Sequence, residues 1–120
     1  MNSTQLRALI GAWPGVTEDL KWGNDLVFSV GEKMFCVIDA TPASDGGSGR
    51  LSFKVDDDRF LELTDRPGII PAPYMARAKW ISLAEPGAMS DAELAPLLRR
   101  SYELVRAKLT KAKQRELGEG

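Results

Sequence analysis

Hydrophobic residues recur along this chain with two periods, and the switches between them mark its elements. Leu6, Leu9, Ile10 and Trp13 stand three and four apart, which predicts a first helix behind a Ser3 or Thr4 cap, closed by Pro14-Gly15. The period then falls to two. Leu26, Phe28 and Val30 alternate on one face of a strand, and Met34, Cys36 and Ile38 do the same on the next, the pattern of a half-buried antiparallel pair. Gly31-Glu32 joins them, and glycine in the first central position fits a type II′ turn, where φ is positive. A polar, glycine-rich connection over residues 43–49 leads to a strand from Leu51 to Val55.

Asp56, Asp57 and Asp58 open a second helix through Phe60, Leu61 and Leu63, as caps at the positive end of its dipole. Residues 66–73 hold three prolines, which excludes a regular helix or a central strand and predicts a shaped loop. Lys79 to Leu83 reads as a short strand. Ser90 with Glu93 makes a capping box ahead of the last and longest helix, whose apolar stripe is Leu94, Leu97, Leu98, Tyr102, Val105 and Leu109. Pro96 predicts either a local distortion there or a start one turn later.

This order, helix, three or four strands, helix, strand, long helix, predicts an α+β fold: an antiparallel sheet of about four to five strands with helices on one face. At 120 residues the chain suits one domain, read as residues 1–113 with a frayed tail over 114–120, and it can bury roughly two thirds of its unfolded surface without staples. The single Cys36 fits a reducing compartment. No apolar run reaches the length of a membrane span, and the first residues lack the basic start of a secretion signal, so the expectation is a cytoplasmic protein. The formal net charge of -1 and pI near 5.5 are far from the strongly basic balance of a dedicated nucleic-acid binder. Charge is nonetheless uneven. Arg99, Arg100, Arg106, Lys108, Lys111, Lys113 and Arg115 crowd the C-terminal part, while the first half leans acidic.

The chain contains no histidine, which excludes Ser-His and Cys-His nucleophile systems and the commonest transition-metal ligand. Cys36 reads as a small core residue. The Asp56–Asp58 run lacks the glycine turn and downstream glutamate of a calcium loop, and residues 43–49 lack the lysine and helix of a phosphate loop. No catalytic residue, cofactor or metal site is therefore expected. Lys21, Lys33, Lys54, Arg77 and Lys79 lie on or beside predicted strands, interleaved with Trp22, Phe35, Phe53, Tyr74 and Trp80. That mixture suits phosphates and bases, but for each residue taken singly the default is a core aromatic or a lysine solvating an edge. Arg50 stands at the base of the glycine-rich loop, whose tip can reach a nucleic-acid groove. Arg99, Arg100 and Arg106 lie opposite the apolar stripe with Glu103 in pairing range, a solvated face by default.

Four blocks carry a family resemblance: Trp13 through Phe35, Leu51 to Val55, Pro67 through Trp80, and Ser101 to Val105. Together they make the chain similar to the MmcQ/YjbR family of small bacterial proteins, often labelled DNA-binding. The resemblance implies a fold like that of the bacterial frataxin CyaY, with paired hairpins compared to a double-wing DNA-binding motif. Frataxins bind iron through carboxylates around the first helix. Here residues 4–11 contain none, and Glu18, Asp19 and Asp25 do not restore the ridge, so iron delivery is not carried over.

The leading expectation is a non-enzymatic domain that binds DNA weakly and with little specificity through Lys21, Lys33, Arg50, Lys54, Arg77, Lys79, Trp80, Arg99, Arg100 and Arg106. The alternative is a protein-interaction or small-ligand module of unknown partner, with the proline-rich loop, Tyr74 and Trp80 lining a groove. A lysine- or carboxylate-based enzyme requires two titratable groups converging in a cleft. Convergence of the strand lysines and Arg77 on one face, with an aromatic between them, would favour nucleic acid; scatter would leave that reading on analogy.

Overall fold

The computed structural model describes residues 3–21, 25–39, 51–72, 76–84 and 88–117. Helix α1 (Ser3–Ile10) buries Leu6 and Ile10, and Gly15 in the left-handed region (φ 76) turns the chain into β1 (Val16–Lys21). A meander follows through β2 (Asp25–Val30) and β3 (Lys33–Asp39), then β4 (Leu51–Lys54), helix α2 (Asp57–Thr64) and β5 (Ile69–Pro71). A 3-10 turn (Ala76–Ala78) leads into β6 (Trp80–Leu83), and helices α3 (Asp91–Arg106) and α4 (Lys111–Leu117) complete the described chain. The strands form one antiparallel sheet in the order β1-β2-β3-β4-β6-β5, so β6 inserts between β4 and the edge strand β5.

The α+β class and one-sided packing are as expected, but the sheet has six strands rather than four or five. One added strand is β1, whose Val-Thr-Glu-Asp-Leu-Lys sequence is exposed almost throughout and owes its form to pairing with β2. The other is β5, three residues inside the proline-rich segment. Pro71 is tolerated because β5 is an edge with one unpaired side. The 31–32 turn is also of a different type. Gly31 (φ 56) and Glu32 (φ 70) both have positive φ, the signature of type I′ rather than II′. A Cβ on Gly31 would stand 2.5 Å from Leu109 Cδ1, so glycine here serves both the turn and the close approach of the segment after α3.

The hairpin carries a bulge. Phe28 pairs with Cys36 and Ser29 with Met34, leaving Phe35 as the extra residue. Phe35 and Cys36 are therefore both fully buried, while Met34, expected on the core face with Cys36 and Ile38, is only half-buried. The last helix is divided as well. Helix α3 ends at Arg106, and Lys111–Leu117 forms a separate helix that includes residues expected to fray. Leu117 of α4 packs at Gly15. Pro96 leaves α3 continuous from Asp91 onward, and the Ser90 hydroxyl accepts from the Glu93 amide as a cap should.

Leu6 and Ile10 of α1, Leu63 of α2 and Leu94, Leu98, Tyr102 and Val105 of α3 share one core with Leu26, Phe28, Val30, Phe35, Cys36, Phe53 and Ile81 of the sheet. Burial drives the Cys36 thiol well above its ordinary range, so its thiolate is scarce at neutral pH. Cys36 is accordingly expected to react with a small thiol reagent only when the fold opens. Rapid stoichiometric labelling in the native state, with circular dichroism unchanged, would contradict this placement.

Candidate functional site

The functional geometry starts from one buried hydroxyl. Ser101 of α3 is fully buried, donates to the Phe35 carbonyl oxygen at 2.7 Å and accepts from the Lys54 amide at 3.1 Å. The β3–β4 register runs from Ile38 with Leu51 to Cys36 with Phe53. At the next position the two backbones are joined by Ser101 instead of by a ladder bond. Beyond that wedge β3 and β4 part, leaving a cleft of about 590 Å³. Glu32, Lys33 and Met34 form one wall, Lys54, Ala78 and Trp80 another, and Val105, Lys108 and Leu109 a third.

Among the described residues, three lysines from three separate segments line the cleft together with one acidic residue, Glu32. Half-buried Met34 and Leu109 supply an apolar surface between them, backed by the buried Trp80 and Val105. The Lys54 ammonium donates to the Ala78 carbonyl at 2.5 Å. Burial holds it below the usual lysine range; Lys108 and Lys79 push the same way, against the opposing pull of Asp57 and Asp56.

The cleft gathers some predicted residues and leaves others outside. Lys33, Lys54 and Trp80 line it, and Arg77 is exposed in the adjoining 3-10 turn. Lys79 has a left-handed backbone (φ 62), and its ammonium lies 5.1 Å from the centre of the Phe60 ring. Lys21 pairs with Asp25 at the end of the hairpin far from the 31–32 turn, so it does not join Lys33. Trp80 is only 3% exposed and offers no face for a base to stack on. Arg50 and Tyr74 lie outside the described residues, and so do Trp22 and the loop over residues 43–49.

The three arginines of α3 have internal roles. Arg99 lies over the rings of Trp13 and Tyr102, at 5.0 and 4.9 Å, and pairs with Glu103 at 3.4 Å. Arg100 grips Asp56 through two 2.9 Å bonds, and Arg106 donates to the Gln114 carbonyl at 3.0 Å. This corrects the reading of Asp56 as a capping side chain. It occupies the N-cap position of α2 but makes no cap bond, and the Arg100 guanidinium holds its carboxyl below the usual carboxylate range. Arg66 does the same to Glu93, which it meets at 2.8 Å. Among the described residues, no three His, Cys, Asp or Glu side chains converge as metal ligands would.

Glu32, Met34, Val105, Lys108 and Leu109 are site residues that sequence reasoning missed. Lys108 stood out only as part of a basic tail, and Val105 and Leu109 only as members of an apolar stripe. The available signal was Gly31, whose turn implies a close neighbour; nothing in the spacing names that neighbour as Leu109.

The fold and cleft define a small α+β domain with a one-sided antiparallel sheet, opened at one point to hold a cationic, apolar-walled site. The chain belongs to the YjbR family, which it matches over residues 11–104. Its structure is similar to the crystal structure of Deinococcus radiodurans protein DR2400, a DUF419-domain protein. The two share a TM-score of 0.84 and 33% identity over 99% of this chain and 89% of that one. A Pseudomonas syringae protein has the same fold, with a TM-score of 0.64 and 24% identity over 88% of this chain and 99% of its own. No curated protein matches the chain.

Proposed function

We propose that this chain is a non-enzymatic binding domain whose site is the β3–β4 cleft, and that its ligand is a small anion with an apolar body. The observation that carries this reading is the convergence of Lys33, Lys54 and Lys108 on one apolar-walled cleft. Its volume lies within the ~300–1,000 Å³ usual for small-molecule sites. Exposed lysine–anion pairs are individually weak, on the order of 1 kcal/mol or less, so affinity must come from the half-buried Met34 and Leu109 surface with the charges setting selectivity.

The fluorescent sulfonate 8-anilinonaphthalene-1-sulfonate has this chemistry and serves as the probe. One equivalent is expected to bind the native chain. Lys33→Glu, which reverses an exposed charge outside the core, should weaken binding about tenfold, a change of ~1.4 kcal/mol. Binding that ignores Lys33→Glu and Lys108→Glu alike, with the fold intact, would place the probe elsewhere and overturn the reading.

Nucleic acid is the second reading, supported by exposed cations: Lys33, Arg77 and Lys108 at the cleft and its margin, and Lys111 and Arg115 on α4. A duplex is too wide to enter, so this mode rests on phosphate contacts at the margin. Fluorescence anisotropy with duplex and single-stranded DNA separates the two readings. A log–log salt slope of about 2–3 that falls by roughly one unit in Lys33→Ala supports nucleic acid. Absence of binding at low salt leaves the small-anion reading alone.

A further inference from the structure

Building on the cleft reading, we propose that Lys54 is a carbonyl-reactive amine, and that the ligand class of the cleft is a small phosphate- or carboxylate-bearing aldehyde captured there as an imine.

The three cleft lysines are not equivalent. Lys33 follows the 31–32 turn and Lys108 follows α3; both are exposed and so suited to meeting an anionic group. Lys54 is rooted within the sheet. Its backbone amide is fixed by Ser101, and its Nζ is held at the Ala78 carbonyl beside Trp80, also a cleft residue. The charges of Lys108 and Lys79 act on the Lys54 ammonium, opposed by those of Asp57 and Asp56. Lys54 is the least exposed of the three, so partial desolvation and the neighbouring cations favour its neutral amine more than theirs. A desolvated lysine beside other cations is the usual setting in which lysine becomes a nucleophile at neutral pH.

The reaction needs no oxidant or reductant. The Nζ lone pair attacks the aldehyde carbon, a C–N bond forms, and the carbonyl electron pair moves to oxygen, which takes a proton. The carbinolamine then loses its hydroxyl group with a proton as water, while nitrogen gives up its remaining surplus proton. One carbonyl and one amine become one imine and one water. Carboxylates able to take and return these protons are Asp57, whose charge acts on Lys54, and Glu32 of the described cleft lining. Once protonated, the imine N–H still has the Ala78 carbonyl to donate to.

Pyridoxal 5′-phosphate, an aromatic aldehyde with a phosphate, is a suitable probe. The native chain is mixed with it, reduced with borohydride and digested, and the adduct is located by mass spectrometry among the seven lysines. The adduct at Lys54 is expected to exceed that at any other lysine by about tenfold. Lys54→Arg should abolish the imine absorption band but still let the probe displace the anilinonaphthalene sulfonate. Circular dichroism of that variant, together with retained displacement, establishes that it is folded. Displacement with label spread over Lys21, Lys111 and Lys113 in proportion to exposure overturns the imine and leaves the cleft reading standing. No displacement and no adduct at Lys54 removes both.

Discussion

Ser101→Ala is expected to destabilise the fold by roughly 2–4 kcal/mol, far more than loss of one hydroxyl from a surface helix. The Ser101 hydroxyl satisfies the Phe35 carbonyl and the Lys54 amide together, at a point where neither has a ladder partner. Alanine fills nearly the same space and leaves both groups unpaired, at about 1–3 kcal/mol for each buried polar group left unsatisfied. Thermal unfolding should shift by roughly 10 °C. A loss under about 0.5 kcal/mol would show that β3 and β4 close their gap once the wedge is removed, and the cleft should then shrink and bind the sulfonate probe less well. Unchanged stability with an unchanged cleft would refute the role assigned to Ser101.

Tyr102→Ala is expected to cost still more, about 3–5 kcal/mol, the range for removing a large aromatic from a packed core. Tyr102 is fully buried, lies edge-on to Phe35 with centroids 5.5 Å apart, and stands 5.2 Å from Trp13. Its hydroxyl also donates to the Pro14 carbonyl, tying α3 to the turn between α1 and β1. Tyr102→Phe removes that bond alone and should cost only about 1 kcal/mol. Urea melts of the two variants separate packing from hydrogen bonding. A small domain has roughly 5–15 kcal/mol in total, so the alanine variant should unfold at much lower urea with a similar slope. Equal losses in both variants would place the stabilisation in the hydroxyl instead of the ring.

What the sequence reveals of this fold follows from which interactions are local. The core face of Leu26, Phe28 and Val30 and the Ser90 cap depend on neighbours a few residues away, and both are present in the structure, although Val27, between Leu26 and Phe28, is buried as well. Strand β1 is illegible because Glu18, Asp19 and Lys21 give it neither alternation nor strand propensity; pairing with β2 makes it a strand. The bulge at Phe35 defeats the period-two rule in the same way, by inserting one residue against β2. For the site, Lys33 and Lys54 were visible as cations near strands. Their meeting with Lys108 was not, because it depends on a serine that reaches a carbonyl 66 positions earlier in the chain. Arg100 misleads for the same reason, since its partner Asp56 is 44 positions away.

The two edges of the sheet are guarded by different means. β5 is three residues long and ends on Pro71, which lacks an amide to offer a newcomer, so that side is closed by geometry. β1 is twice as long and open, but Glu18, Asp19 and Lys21 would have to shed water before another chain could add there. Protection against edge-to-edge aggregation is therefore steric on one flank and electrostatic on the other. Salt and acid act on the second alone, which makes β1 the flank from which self-association would begin.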